Sequence, residues 1–226
     1  MRTTSKSLTW HDQAMAAGVP EHQIAEYEAR QRVETYDQDY STLAHQLENI
    51  YVRATLEKYV RPGDQVLDLG SGTGLGRELL SGVKGVRYTG VEPCQDMLLR
   101  AAWKFPEDLY HLGTAEEYLS YKQAEAARVN QDRGAIQHAI ALWSLDYMDP
   151  AVVPLIARLK TGAFIAVHHN QPWRSDSNSV WYKGLRELFE WKHSKNKEQL
   201  LRRIKQAGGH TEPFIGRGEY YLSIIE

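Results

Sequence analysis

The spacing of apolar residues changes character near Pro62-Gly63. Before that point apolar positions recur every three to four residues, the period of a helix with one face against a core. In 43–59, Leu43, Leu47, Ile50, Tyr51 and Ala54 form such a stripe. Val52, Leu56 and Tyr59 fall on the opposite side, so this helix is open to cover on both faces. Around 21–33 (EHQIAEYEARQRV) apolar residues are sparse, which suits an exposed or lid-like helix. Pro62-Gly63 then stops the helical region.

Beyond it, short apolar runs alternate with helical patterns. QVLDL at 65–69 reads as a buried strand, followed by a glycine-rich turn and the helix GRELL. VRYTGV at 86–91 is a second strand and 94–104 a helix. Residues 108–111 form a weak third strand, and 114–121 a helix opened by a Thr114/Glu117 capping box. A fourth strand is expected over 135–143, a helix over 150–159 and a fifth strand, GAFIAVH, over 162–168. Helices follow at 179–191 and 197–206, the second ended by Gly208-Gly209. Strands at 210–215 and 220–225 close the chain around the turn 216–218. Five strand–helix units imply a parallel sheet with helices on both faces. Ligands of such sheets bind outside the carboxyl ends of the strands.

Composition narrows the class. With 226 residues, 42% hydrophobic and 25% charged, the chain has the material for one folded domain. Lys+Arg is 27 and Asp+Glu 29, a net charge of -2, which argues against a broad surface for nucleic acid. The charged run 192–205 reads as a solvated helix face. A single cysteine, Cys94, excludes an intramolecular disulfide and a cysteine-rich zinc site. The nine histidines show no metal spacing, so no metal is expected. No apolar run approaches the roughly 18 residues of a membrane span, and the N-terminus has no apolar signal core. The expectation is a cytoplasmic protein with no membrane partner.

The turn after the first strand reads Asp68-Leu69-Gly70-Ser71-Gly72-Thr73-Gly74-Leu75-Gly76. A dinucleotide fingerprint fails in both glycine registers, and the phosphate loop fails for want of its second glycine and its lysine. An acid before the first glycine would repel phosphate and suits a ligand with a cationic amine. The glycines let backbone approach that ligand closely. The second strand runs into Glu92, placed to accept both hydroxyl hydrogens of a ribose.

These residues resemble the class I S-adenosylmethionine-dependent methyltransferases. VLDLGSGTGLG (66–76), YTGVEPCQDML (88–98), GTAEEY (113–118) and ALWSLDYMDP (141–150) match that family's segments in order over about 60–170, and look like its small-molecule branch. The resemblance implies an α/β, Rossmann-like fold. Its seven-stranded, mostly parallel sheet has helices on both faces and an antiparallel last strand, with an N-terminal helical lid (1–60) before the core (61–226). S-adenosyl-L-methionine would be the cofactor and S-adenosyl-L-homocysteine the product. Asp68, Gly70, Ser71 and Gly72 would sit by the methionine amine and carboxylate, and Glu92 with Pro93 by the ribose. Met97 would pack on adenine, with Thr114, Ala115 and Glu116 along its polar edge. The family usually has Asp where Thr114 stands. Tyr36 and Tyr40, in a Y-D-x-x-Y element, would cover the cofactor carboxylate, and Trp143 would flank the cofactor.

Methyl transfer needs alignment and, for an oxygen acceptor, a base. His168, His169 and Tyr147, at the ends of the fifth and fourth strands, are the candidates. Adjacent strand residues face opposite sides, so at most one histidine enters the cleft. His138 reads as a satisfied core histidine. The N-P-P-Y type tetrapeptide of amino-group methylases is absent; the site reads S-L-D-Y. Six Trp and thirteen Tyr, among them Trp173 and Trp181, favour a small, aromatic or apolar acceptor. Trp181 and Tyr182 cannot share a helix face, which leaves a homodimer surface open. Methylation of RNA or protein, non-methyl chemistry with the same cofactor, and binding without catalysis remain alternatives.

Overall fold

The computed structural model describes residues 37, 43–129, 136–159, 162–169, 197–214 and 220–226. The chain divides into two compact units, Met1–Leu43 and Ala44–Glu226. All the described strands belong to the second. In chain order come α1 (Leu43–Tyr59), β1 (Gln65–Leu69), α2 (Leu75–Leu79), β2 (Arg87–Glu92), α3 (Gln95–Lys104), β3 (Leu109–Leu112) and α4 (Ala115–Val129). There follow β4 (His138–Leu142), a 3-10 turn (Leu145–Tyr147), α5 (Val152–Arg158), β5 (Ala163–His169), α6 (197–206), β6 (His210–Pro213) and β7 (Tyr220–Ile225).

The seven strands lie in the order β3-β2-β1-β4-β5-β7-β6. Strands β1 to β5 pair in parallel, and β7 runs antiparallel to both β5 and β6. Chain direction reverses its walk across the sheet between β1 and β4, which puts the switch point at the carboxyl end of β1. Strand alternation sorts the core into two layers. Leu67, Leu69, Ala139, Ala141, Phe164 and Ala166 pack with α4, α5 and α6. Val66, Tyr88, Ile140, Leu142, Ile165 and Val167 pack with α1 and α2.

Three expectations change. In α1 the buried side chains are Val52 and Leu56, while Leu47 and Ile50 are 61% and 64% exposed. The side expected to face the core is largely the outer one. Val60 is also buried and packs with the same layer, so the chain entering β1 fixes the roll of the helix. Among the described side chains of the expected stripe, Tyr51 alone joins that layer, edge-on to Phe214 at 5.0 Å. Strand β4 ends at Leu142 rather than 143, because Trp143 turns left-handed at φ 56. The helix expected over 114–121 runs on through the polar stretch from Lys122, so that α4 ends at Val129. Gln123 anchors it by donating to the Leu155 carbonyl at 3.0 Å.

Candidate functional site

The glycine turn after β1 is built on left-handed backbone. Gly70, Gly72 and Gly74 have φ of 72, 53 and 93, a region that side chains with a Cβ enter only at a cost. Space adds to this at Gly70, where a Cβ would lie 2.4 Å from Ser144 Cβ. The turn does not aim its amides outward. Gly70 and Ser71 N–H both donate to the Val91 carbonyl, Gly72 N–H to Glu92 and Gly74 N–H to the Ser71 carbonyl. A phosphate cradle needs such donors unspent, so the turn suits a ligand that brings donors of its own.

Two acids face this turn from adjacent strands. Asp68 pairs across the parallel ladder with Gly90, so its side chain shares a face with Tyr88 and Glu92. Asp68 is 2% exposed. Its Oδ2 accepts the Tyr88 hydroxyl hydrogen and lies against Gly76, where any Cβ would collide with it. Its Oδ1 is buried with no hydrogen-bond partner among the described residues, as is Ser71 Oγ. Burial pushes the Asp68 carboxyl up to about 7; the Tyr88 hydroxyl opposes the rise, and the Glu92 charge adds to it. Burial and the Asp68 charge hold the Tyr88 phenol well above its ordinary value, so it stays a donor.

Glu92 closes β2 and is 7% exposed. Its Oε2 accepts Gly72 N–H and its Oε1 accepts Cys94 N–H, each at 2.9 Å. Each oxygen keeps a second lone pair for a hydroxyl donor. Burial raises its pKa, and the two amides pull it back. Met97 is half-buried on α3, Pro93 exposed before it. Thr114 caps α4 as the sequence predicts. Its N–H and hydroxyl both donate to Glu117 Oε2, at 2.9 and 3.0 Å, and its hydroxyl accepts Glu117 N–H. Ala115 is buried beside it, and Glu116 Oε1 holds the Asp149 amide at 2.7 Å.

Across the switch point, Trp143 is buried in the strained left-handed region, a conformation that bulky residues adopt only where the surroundings impose it. The next residue, Ser144, donates to the Leu69 carbonyl at 2.6 Å and so ties the end of β4 to the end of β1. His168 lies in phase with Phe164 and Ala166 and is fully buried. Its Nε2 is 2.8 Å from Ser223 Oγ, which in turn is 2.8 Å from Thr211 Oγ1. Its Nδ1 lies 3.8 Å from Asp146 Oδ1. His169 ends β5 opposite Tyr220, and Tyr147 ends the 3-10 turn. His138 packs away from this end, with Nε2 3.0 Å from Asp64 Oδ2. Tyr36, Tyr40, Trp173, Trp181 and Tyr182 lie outside the described residues.

The structure thus gathers Asp68, Gly70, Ser71, Gly72 and Glu92 at one switch point. Sequence reasoning missed three residues there: Tyr88, which holds Asp68; Ser144, which fills the space above Gly70; and Asp146 beside His168. For Tyr88 a signal existed, since its even phase in β2 is that of Glu92. For Ser144 there was none, because its role depends on the backbone turn at Trp143.

The fold is that of S-adenosylmethionine-dependent methyltransferases. The chain superposes on phosphoethanolamine N-methyltransferase 2 of Haemonchus contortus, solved with S-adenosyl-L-methionine, with a TM-score of 0.57 at 16% identity, over 92% of this chain and 46% of that one. A methyltransferase from Aquifex aeolicus aligns with a TM-score of 0.54 at 11% identity, over 87% and 98%. Fibrillarin of Aeropyrum pernix, with natively bound S-adenosyl-L-methionine, aligns with a TM-score of 0.51 at 14% identity, over 80% and 74%. No protein-family model matches the sequence, and no curated protein matches it either. Among the described residues no group of acids, histidines or cysteines could hold a metal, and no helix is long and apolar enough to cross a membrane.

Proposed function

We propose that this chain is an S-adenosylmethionine-dependent methyltransferase acting on an oxygen or nitrogen of a small, aromatic or apolar molecule. The observation that carries the reading is the pair of buried acids around a left-handed glycine turn, with Asp68 Oδ1 lacking a partner among the described residues. A buried carboxylate oxygen without a donor is costly unless a ligand supplies one. The residues therefore fit a molecule with a cationic amine for Asp68 and vicinal hydroxyls for Glu92. Such a cofactor, when bound, supplies an electrophilic methyl group on a sulfonium.

In this reading Asp68 receives the methionine ammonium, with Gly70, Ser71 and Gly72 against the rest of that moiety. Glu92 receives the ribose hydroxyl hydrogens, with Pro93 beside it, and Met97, Thr114, Ala115 and Glu116 border the adenine. Trp143 flanks the cofactor where β4 ends. The acceptor lies over the ends of β4 and β5. A hydroxyl acceptor needs a base, drawn from His168, His169 or Tyr147. Because His168 is fully buried, any proton it takes passes through a neighbour such as Asp146 or Ser223. Loss of a base would flatten the pH–rate profile in His168→Ala or His169→Ala, while unchanged turnover at every pH would remove the histidine from the chemistry. Support for a small acceptor comes from the near balance of 27 basic and 29 acidic residues.

The test is to incubate the chain and a cell extract with S-adenosyl-L-methionine labelled at its methyl group, then separate the extract by mass. Label in the low-mass fraction with S-adenosyl-L-homocysteine formed is the expected result. Label in RNA or protein would replace the acceptor class. Cofactor consumption without S-adenosyl-L-homocysteine would replace methyl transfer, and no consumption at all would overturn the enzyme reading.

A further inference from the structure

The cofactor reading uses Asp68 as the seat of an ammonium, yet Asp68 sits where a carboxylate is hard to keep charged. It is buried with 2% exposure on a strand flanked by strands on both sides. On its β4 side the ladder partner is the apolar Ile140. Around it, β2 presents Tyr88 and Glu92, β3 presents Tyr110, and α2 presents Arg77, whose charge is engaged by Asp108 at 2.6 Å. Among the described residues, the charge whose field reaches Asp68 is thus another acid, Glu92. Among the described residues neither Arg77 nor any other base donates to the carboxylate, and the Tyr88 hydroxyl is its one side-chain donor. Gly76 leaves the space in which Oδ2 meets that hydroxyl.

We infer that Tyr88 is a positioning residue for cofactor binding: its hydroxyl holds Asp68 by Oδ2, leaves Oδ1 for the ammonium, and sets the lower pH limit of affinity. This deepens the cofactor reading proposed above and rests on it. The sign follows from the donor. A hydrogen bond to the charged form favours that form, so removing the Tyr88 hydroxyl moves the ionisation of Asp68 to higher pH. An ammonium binds the carboxylate and not the neutral acid, so affinity falls as pH drops through that ionisation. The upper limit comes from the ligand's own amine, which must keep its proton to bind and is the same for every variant.

The experiment is calorimetric titration of the full chain with S-adenosyl-L-homocysteine between about pH 5.5 and 9, for the parent and Tyr88→Phe. The expected result is an acid limb displaced upward by about one pH unit in Tyr88→Phe, hence roughly tenfold weaker binding near pH 6 and a shrinking difference toward pH 8. A merely structural role would weaken binding by one factor at all pH values, and that result overturns the inference while leaving the cofactor reading intact. So does an unmoved limb. No binding by the parent at any pH overturns the cofactor reading and the inference with it. If Tyr88→Phe does not fold, a fluorinated tyrosine placed at position 88 alone keeps the packing. As a more acidic, stronger donor it must move the acid limb down, and a limb that stays in place overturns the inference.

Discussion

The amide hydrogen of Gly72 is held by Glu92 Oε2 at 2.9 Å, joining the glycine turn after β1 to the last residue of β2. The other oxygen of the same carboxylate holds Cys94 N–H, the N-cap of α3. One side chain therefore sets the turn and the helix on either side of the proposed ribose. Glu92→Gln replaces one acceptor oxygen with an NH2 group, so that one of these amides meets a donor whichever way the side chain is set. Hydrogen bonds to charged groups contribute about 1.5–3 kcal/mol, so cofactor affinity should fall about ten- to hundredfold. Titration of the variant with S-adenosyl-L-homocysteine checks this.

Asp68 should trade stability for binding. Its carboxyl titrates at about 7 in the folded chain, against an ordinary 3.8. Between those values the folded state holds more protons than the unfolded one, so this group's contribution to stability falls as pH rises through that window. Asp68→Asn removes the titration while still accepting from Tyr88. The variant should melt higher than the parent at about pH 7.5, and the two should converge as pH falls toward about 4. Thermal melts across that range, without ligand, check the sign.

Two glycines separate backbone strain from crowding. Gly63 and Gly70 both have positive φ, 87 and 72, but a Cβ on Gly63 meets nothing within 4 Å while one on Gly70 lies 2.4 Å from Ser144 Cβ. Gly63→Ala should cost about 1–2 kcal/mol from the left-handed backbone alone. Gly70→Ala should cost more, lowering Tm by a further 2–4 °C or so for each added kcal/mol, and should also impair cofactor binding.

The roll of α1 is tested by truncation on its two sides. Leu56 is fully buried, so Leu56→Ala should cost about 2–5 kcal/mol. Leu47 is 61% exposed, and Leu47→Ala should stay within about 0.5 kcal/mol. Denaturant midpoints of the two variants decide it.

What could be read before the structure follows from which forces are local. The strands around QVLDL, GAFIAVH and the closing 220–225 announce themselves as apolar runs bounded by glycine or turn residues, and each lies within a residue or two of its expected place. The Thr114/Glu117 box is a contact within one turn of chain, and it forms as written. The roll of α1 is not local. Apolar residues stand on both sides of that helix, and only its packing into the core layer that holds Val66, Ile140 and Ile165 selects Val52 and Leu56. The same holds for the site. The acids at the ends of β1 and β2 are visible as motif positions, whereas the Tyr88 and Ser144 contacts arise from strand neighbours 20 and 75 residues away.

The proposed cofactor site stands on Asp68 and Glu92 together. It is tested most directly by calorimetric titration of the chain with S-adenosyl-L-methionine near about pH 7.5, between the two ionisations that bound binding. The parent should show one saturable site. A double variant, Asp68→Ala with Glu92→Ala, should show none while keeping its far-ultraviolet circular dichroism. No saturable binding by the parent, or undiminished binding by the folded double variant, would contradict the claim.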